Sequence, residues 1–205
     1  MNRELENNLV TISGEISKNP LFSHEVYGEK FYTMFVDIPR KSGYVDSLPV
    51  IVSERIIDVS EELKGLKVIV NGQYRSFNKH EEEKSYLILS VFALEVEFVD
   101  EVLNYYDSNN IYLEAVIVKE PIYRTTPYGR EIADVLVASN RSYGKADYIP
   151  CICWGRNARF VSNLSVGDKV VFRGRIQSRE YNKKMPDGTV EVRTAYEVSV
   201  STVEV

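Results

Sequence analysis

At 205 residues, with 44% hydrophobic and 27% charged side chains, the chain has the balance of a folded protein rather than a disordered one, and its length leaves room for one large or two small domains. No run approaches the roughly 20 apolar residues that cross a bilayer, Met1-Asn-Arg-Glu-Leu-Glu-Asn7 lacks the apolar stretch of a secretion signal, and two cysteines cannot staple a scaffold; a soluble cytoplasmic protein is expected. The net charge of −5 hides a division: residues 1–105 carry 11 Lys+Arg against 18 Asp+Glu, whereas residues 106–205 carry 14 against 12 and hold nine of the arginines. An anion-binding surface is therefore expected in the second part.

In chain order, Val10–Ile16 alternates apolar and polar residues, the period of a half-buried strand, and Phe31–Ile38, Leu48–Val52, Lys67–Tyr74 and Ser85–Val91 follow as further strands. Between the third and fourth, Ser60-Glu-Glu-Leu-Lys-Gly65 suits a short helix ended by glycine. The polar run Asn104-Tyr-Tyr-Asp-Ser-Asn-Asn110 reads as a connector, after which the series starts again. Strands are expected at Ile111–Ile117, Ile132–Ala138, Tyr148–Trp154, Lys169–Gln177 and Val192–Val200, with a helix near Arg156–Leu164.

The recurrence is a sequence repeat. At an offset of 101, Pro20 matches Pro121, Tyr27-Gly28 matches Tyr128-Gly129, Arg40 matches Arg141 and Asp46 matches Asp147; one residue later in offset, Gly72 and Ser76 match Gly174 and Ser178. Five strands and a small helix per copy predict an all-β protein of two tandem oligonucleotide/oligosaccharide-binding (OB) folds, each a five-stranded Greek-key barrel with a short helix between strands three and four. The expected boundaries are 1–103, a linker at 104–109, and 110–205.

Strand parity then locates a surface. On Tyr148–Arg156, the residues Tyr148, Pro150, Ile152, Trp154 and Arg156 share one face, opposite Ile149, Cys151 and Cys153. On the next strand Val170, Phe172, Gly174 and Ile176 oppose Arg173, Arg175, Arg179 and Tyr181. Cations that track phosphates beside rings that stack on bases are what sequence-tolerant binding of single strands requires. Cys151 and Cys153 read as buried small hydrophobes, His24 and His80 as surface residues, and neither set supplies a metal site.

The segments Asn140-Arg-Ser-Tyr143, Ala146-Asp-Tyr-Ile-Pro-Cys-Ile-Cys-Trp-Gly-Arg156, Val170-Val-Phe-Arg-Gly-Arg-Ile-Gln-Ser-Arg-Glu-Tyr181 and Arg193-Thr-Ala-Tyr-Glu-Val198 resemble the bacterial single-stranded DNA-binding protein family over nearly all of residues 109–205. The resemblance implies an OB fold, no catalysis and no cofactor, and assemblies that present four barrels, here a homodimer. It implies stacking positions at Tyr143, Tyr148, Trp154 and Tyr181. Arg141, Arg156, Arg173, Arg175, Arg179, Lys183 and Lys184 are expected to follow the backbone of single-stranded DNA, or of RNA through the same chemistry. Roles in replication, repair or DNA transfer, and a nucleoid-associated location, go with that reading. Family members also carry an acidic tail that recruits other proteins; after Ser201-Thr-Val-Glu-Val205 none is expected.

In the first copy the four ring positions fall on Ser42, Ser47, Ser53 and Lys79, and Glu81-Glu82-Glu83 replaces Lys183-Lys184. Residues 1–103 are therefore expected to be a degenerate copy used for assembly or for contact with another protein. The alternative is an adaptor in which nucleic-acid binding is vestigial.

Overall fold

The computed structural model describes residues 6–81, 84–185 and 187–205, with the backbone alone at 80, 81, 84 and 85. Glu82, Glu83 and Pro186, and the side chains of His80 and Glu81, lie outside the described residues.

Alternation sets the first strand. From β1 (Asn8–Val26), Val10, Ile12 and Ile16 turn into the core while Leu9 and Glu15 face out. It is followed by β2 (Glu29–Pro39), β3 (Val45–Ser53), β4 (Lys67–Glu81) and β5 (Lys84–Val99). β1 pairs with both β2 and β4, β3 pairs antiparallel with β2 and parallel with β5, and β4–β5 completes a closed five-stranded barrel. The second copy repeats it with β6 (Asn109–Ile117), β7 (Ile122–Thr125), β8 (Glu131–Asn140), β9 (Ala146–Trp154), the helix α1 (Arg156–Val161), β10 (Lys169–Lys184) and β11 (Val190–Glu204). Here β6 and β7 together stand where the long β1 runs unbroken past Pro20, with register shifts between Ile16 and Leu21.

One expected element is absent. The helix between strands three and four forms only in the second copy; residues 54–65 are turns, bends and irregular chain. Their side chains explain the difference. Asp58 Oδ1 accepts from the Ser60 backbone N–H at 3.0 Å, and Asn19 Oδ1 accepts from Leu63 and Lys64 at 2.9 and 2.8 Å, so backbone donors that a helix would engage are satisfied by side chains. The fourth and fifth strands also run on beyond their expected ends, giving each copy a two-stranded arm, β4–β5 and β10–β11. Each arm is bent at a bulge, at Gly72 and Gly174, where a Cβ would fall 2.2 Å from the Phe92 carbonyl oxygen and 2.1 Å from that of Ser199. Only glycine fits so close an approach.

The copies join edge to edge. β1 and β6 pair antiparallel from Asn8↔Leu113 to Ile12↔Asn109, merging the two barrels into one sheet of order β2-β3-β5-β4-β1-β6-β10-β11-β9-β8-β7. The junction is nearly two-fold. Asn8 exchanges two hydrogen bonds with the Tyr74 backbone, and Asn109 does the same with Ile176. Asp46 takes the guanidinium of its own Arg40 together with the Ser178 N–H (2.7 Å) and Arg175 (3.3 Å) of the other copy. Its counterpart Asp147 pairs with Arg141 at 3.1 Å and accepts the Ser76 N–H at 2.7 Å. Residues 105–107 form a turn whose flanks are bound to β1 through Ser13, whose hydroxyl accepts the Leu103 N–H and whose N–H donates to the Ser108 carbonyl.

Candidate nucleic-acid interface

β9 keeps the expected alternation, except that Ile152 on the outer side is itself buried, at the floor of the groove beside Trp154. Ile149, Cys151 and Cys153 are buried among core residues, and both thiols are free. Burial pushes the Cys151 thiol well up and that of Cys153 up to about 12, so both stay protonated at neutral pH. On the opposite face Tyr148 and Trp154 are 44% and 38% exposed. The indole lies along the barrel wall, its Nε1–H donating to Ser199 Oγ on β11 at 3.3 Å. Tyr181, on the outer part of β10, is also 38% exposed.

Trp154 lines one groove with Arg175 and Arg179 of β10 and with Arg130, and its far wall is Arg40, Tyr44 and Ser47 of the first copy. Ion pairs hold three of these cations, Arg40 among them on Asp46. Arg179 lies 3.6 Å from Glu197, and Arg175 is half-buried on Asp46; burial, with Arg40 beside it, lowers the Arg175 pKa while Asp46 works against that shift.

The remaining sequence candidates are spread more widely. Tyr143, 87% exposed with φ +64°, is the middle residue of a single 3₁₀ turn, Ser142–Gly144, between β8 and β9. It shares a second groove with Arg141 and Lys145, and the opposite wall is Asn7, Asn8, Gln73 and Arg75 of the first copy. Arg141 is tied there to the buried Asp147, whose pKa is raised by burial against the pull of Arg141 and Arg75. Arg173 turns the other way, over the Tyr112 ring at 4.6 Å and 3.6 Å from Glu204, on the outer face of the β1–β6 sheet. β9 ends at Trp154, so Arg156 opens α1 instead of continuing the strand face; it and Lys184 are exposed. Lys183 lies 6.0 Å from the centre of the Tyr86 ring of the first copy's arm, which Arg193 also covers at 5.7 Å. Sequence reasoning missed Tyr86 and Arg193, which meet between the two arms, and Arg130, which enters the Trp154 groove from the turn before β8; neither kind of contact follows from strand parity.

In the first copy, Ser47 donates to Asp37 at 2.5 Å, and Ser53 is buried and donates to Glu29. Carboxylates thus stand beside the positions that hold Tyr148 and Trp154 in the second. Among the described residues no group of three metal-binding side chains occurs, and no helix is long and apolar enough to cross a membrane.

Two Greek-key barrels, one presenting rings and guanidinium groups on its outer wall, define an OB-fold protein. Residues 108–205 match the model of the Single-strand binding protein family. It is 37% identical over 83 residues to Single-stranded DNA-binding protein 1 of Staphylococcus aureus (strain COL), covering 37% of this chain and 50% of that protein. To Single-stranded DNA-binding protein A of Bacillus subtilis (strain 168) it is 34% identical over 83 residues, 37% of this chain and 48% of the relative. The chain thus spans about half the length of the curated relatives it matches. The fold of the whole chain is similar to the wild-type single-stranded DNA binding protein from Thermus aquaticus, with TM-score 0.73, 20% identity, and coverage of 99% of this chain and 93% of that one.

Proposed function

We propose that the protein binds single-stranded DNA without strong sequence preference and takes no part in catalysis. Residues 110–205 form the principal reading domain, joined through 104–109 to residues 1–103, which serve assembly. The carrying observation is Trp154, exposed on the barrel wall in a groove with Arg175 and Arg179. A base stacks on the indole, worth about 1–3 kcal/mol, while Arg179, Arg156, Lys183 and Lys184 neutralise phosphates. Tyr148, Tyr143 and Tyr181 extend the stacking surface. Arg141 and Arg175 act mainly by fixing the two barrels, since each is held by a buried carboxylate, and Arg173 is placed for the open face of the joined sheet. Two chains meeting on that face, which carries Leu9, Tyr112 and Val171 beside Glu114 and Arg173, would present four barrels. The protein acts in the cytoplasm, at the nucleoid, during replication, repair or DNA transfer.

Fluorescence anisotropy of a labelled thymidine oligomer tests the reading. The expected result is tight binding that weakens steeply as salt is raised, with the equivalent duplex bound far more weakly. Equal binding of duplex and single strand, or none of either, would favour the adaptor. Light scattering at micromolar concentration is expected to give twice the chain mass.

A further inference from the structure

The two copies differ by an exchange of large and small side chains across neighbouring strands. In the second, Trp154 on β9 lies over Ser199 on β11. The equivalent strands β3 and β5 pair in the same register, Val50↔Val91 and Ile51↔Phe92 against Cys151↔Val198 and Ile152↔Ser199. Ser53 therefore stands for Trp154, and Phe92 stands for Ser199. The ring is not missing from the first barrel; it is supplied by the adjacent strand, at the spot the indole covers in the second.

Phe92 is not isolated. It is half-buried, with its neighbours Val91 and Ala93 in the core, so it faces outward. The Phe31 ring of β2 is 5.8 Å away, and the Arg75 guanidinium lies over Phe92 at 3.9 Å. Arg75 also lines the groove that contains Tyr143 and Lys145 of the second copy. A separate groove between the copies brings Tyr44 of the first copy beside Trp154 and Arg175. Each barrel face thus continues onto a tyrosine-bearing loop of the other copy. The faces also meet at the junction, where the Tyr148 N–H donates to Ser76 Oγ, next in sequence to Arg75, at 2.8 Å.

We propose that the first copy holds a second stacking platform for the same single strand, made of Phe92, Phe31 and Arg75 with Tyr143 at its edge. The inference rests on the reading of the second copy as a single-strand binder. A base stacks on the Arg75 plane or takes its place on Phe92, since guanidinium groups and rings both offer flat partners to bases. The phosphates pass on the Arg75 and Lys145 side, away from Asp37 and Glu29. The surface is continuous with the Trp154–Tyr148 face, and its cation lies directly on its ring, as suits an anionic chain carrying flat bases.

The test uses the full chain and thymidine oligomers of about 8 and about 30 nucleotides, one short enough for a single barrel and one able to span both. Phe92→Leu keeps apolar volume and removes the flat ring. It is expected to leave Trp154 quenching by the short oligomer unchanged, to weaken the long oligomer by about 5- to 150-fold, the cost of one stack, and to reduce the nucleotides bound per chain at saturation. The double variant Phe92→Ser with Ser53→Trp recreates the arrangement of the second copy and is expected to restore the long-oligomer affinity. Unchanged affinity and unchanged saturation in Phe92→Leu would overturn the second platform while leaving the Trp154 reading intact. A wild-type chain in which neither oligomer quenches Trp154 would overturn both.

Discussion

The two halves share a backbone down to the bulge glycines Gly72 and Gly174 and the capping asparagines Asn8 and Asn109, yet their outer walls differ. One wall carries Tyr148, Trp154, Arg179 and Tyr181; the other places Ser47 and Ser53 against Asp37 and Glu29 and shifts its rings to Phe31 and Phe92. The inward residues of a barrel are constrained by packing, whereas the outward ones are nearly free of it. A duplicated barrel can therefore keep its fold and its junction while its binding surface diverges strand by strand.

The junction is where that shared frame is most exposed to a single change. Asp46 is buried between Arg40 and Arg175, so Asp46→Ala leaves two cations facing each other and the Ser178 N–H without its acceptor. A loss of about 3–5 kcal/mol is expected in denaturant unfolding; a loss below about 1 kcal/mol would mean that the edge pairing of β1 and β6 alone sets the arrangement. Next comes the contrast in the walls themselves. Trp154→Ala is expected to weaken binding of a thymidine oligomer by about 1–3 kcal/mol, and Ser53→Ala to leave it within a few-fold; equal effects would erase the asymmetry. Smaller still is the contribution of the arm. Replacing Lys183 and Lys184 by alanine is expected to reduce the slope of log affinity against log salt by about 0.7 for each phosphate that is no longer neutralised, measured by repeating the titration at several salt concentrations. No change in slope would place the arm away from the strand. Least disturbed is the core side of β9. At pH 8 the buried, protonated Cys151 and Cys153 are expected to resist a thiol reagent until the protein is unfolded, because their raised pKa values leave almost no thiolate. Prompt reaction of the native protein would show that β9 is open on that side.

The repeat, the strand order and the β9 parity are all legible in the sequence, because alternation and turn glycines report directly on strands. The helix expected in the first copy does not form, since Ser60-Glu-Glu-Leu-Lys fits a helical turn locally and only Asn19, 44 positions from Leu63, claims its donors. By strand pattern alone Arg141 and Arg175 are solvent-facing cations; the carboxylates that hold them sit on the same strand edges as the junction, which no single-strand pattern describes. Phe92 is hidden for a simpler reason. The offset of 101 or 102 that aligns the first four strands becomes 107 at the last, because the second arm is longer, so its equivalence to Ser199 emerges only from strand pairing.

Trp154 is the sole tryptophan, which makes its fluorescence a reporter of one position. On titration with an unstructured thymidine oligomer at low salt, strong quenching that reverses as salt is added is the result expected if bases stack on the indole. Binding of the oligomer with the emission of Trp154 unchanged would contradict it.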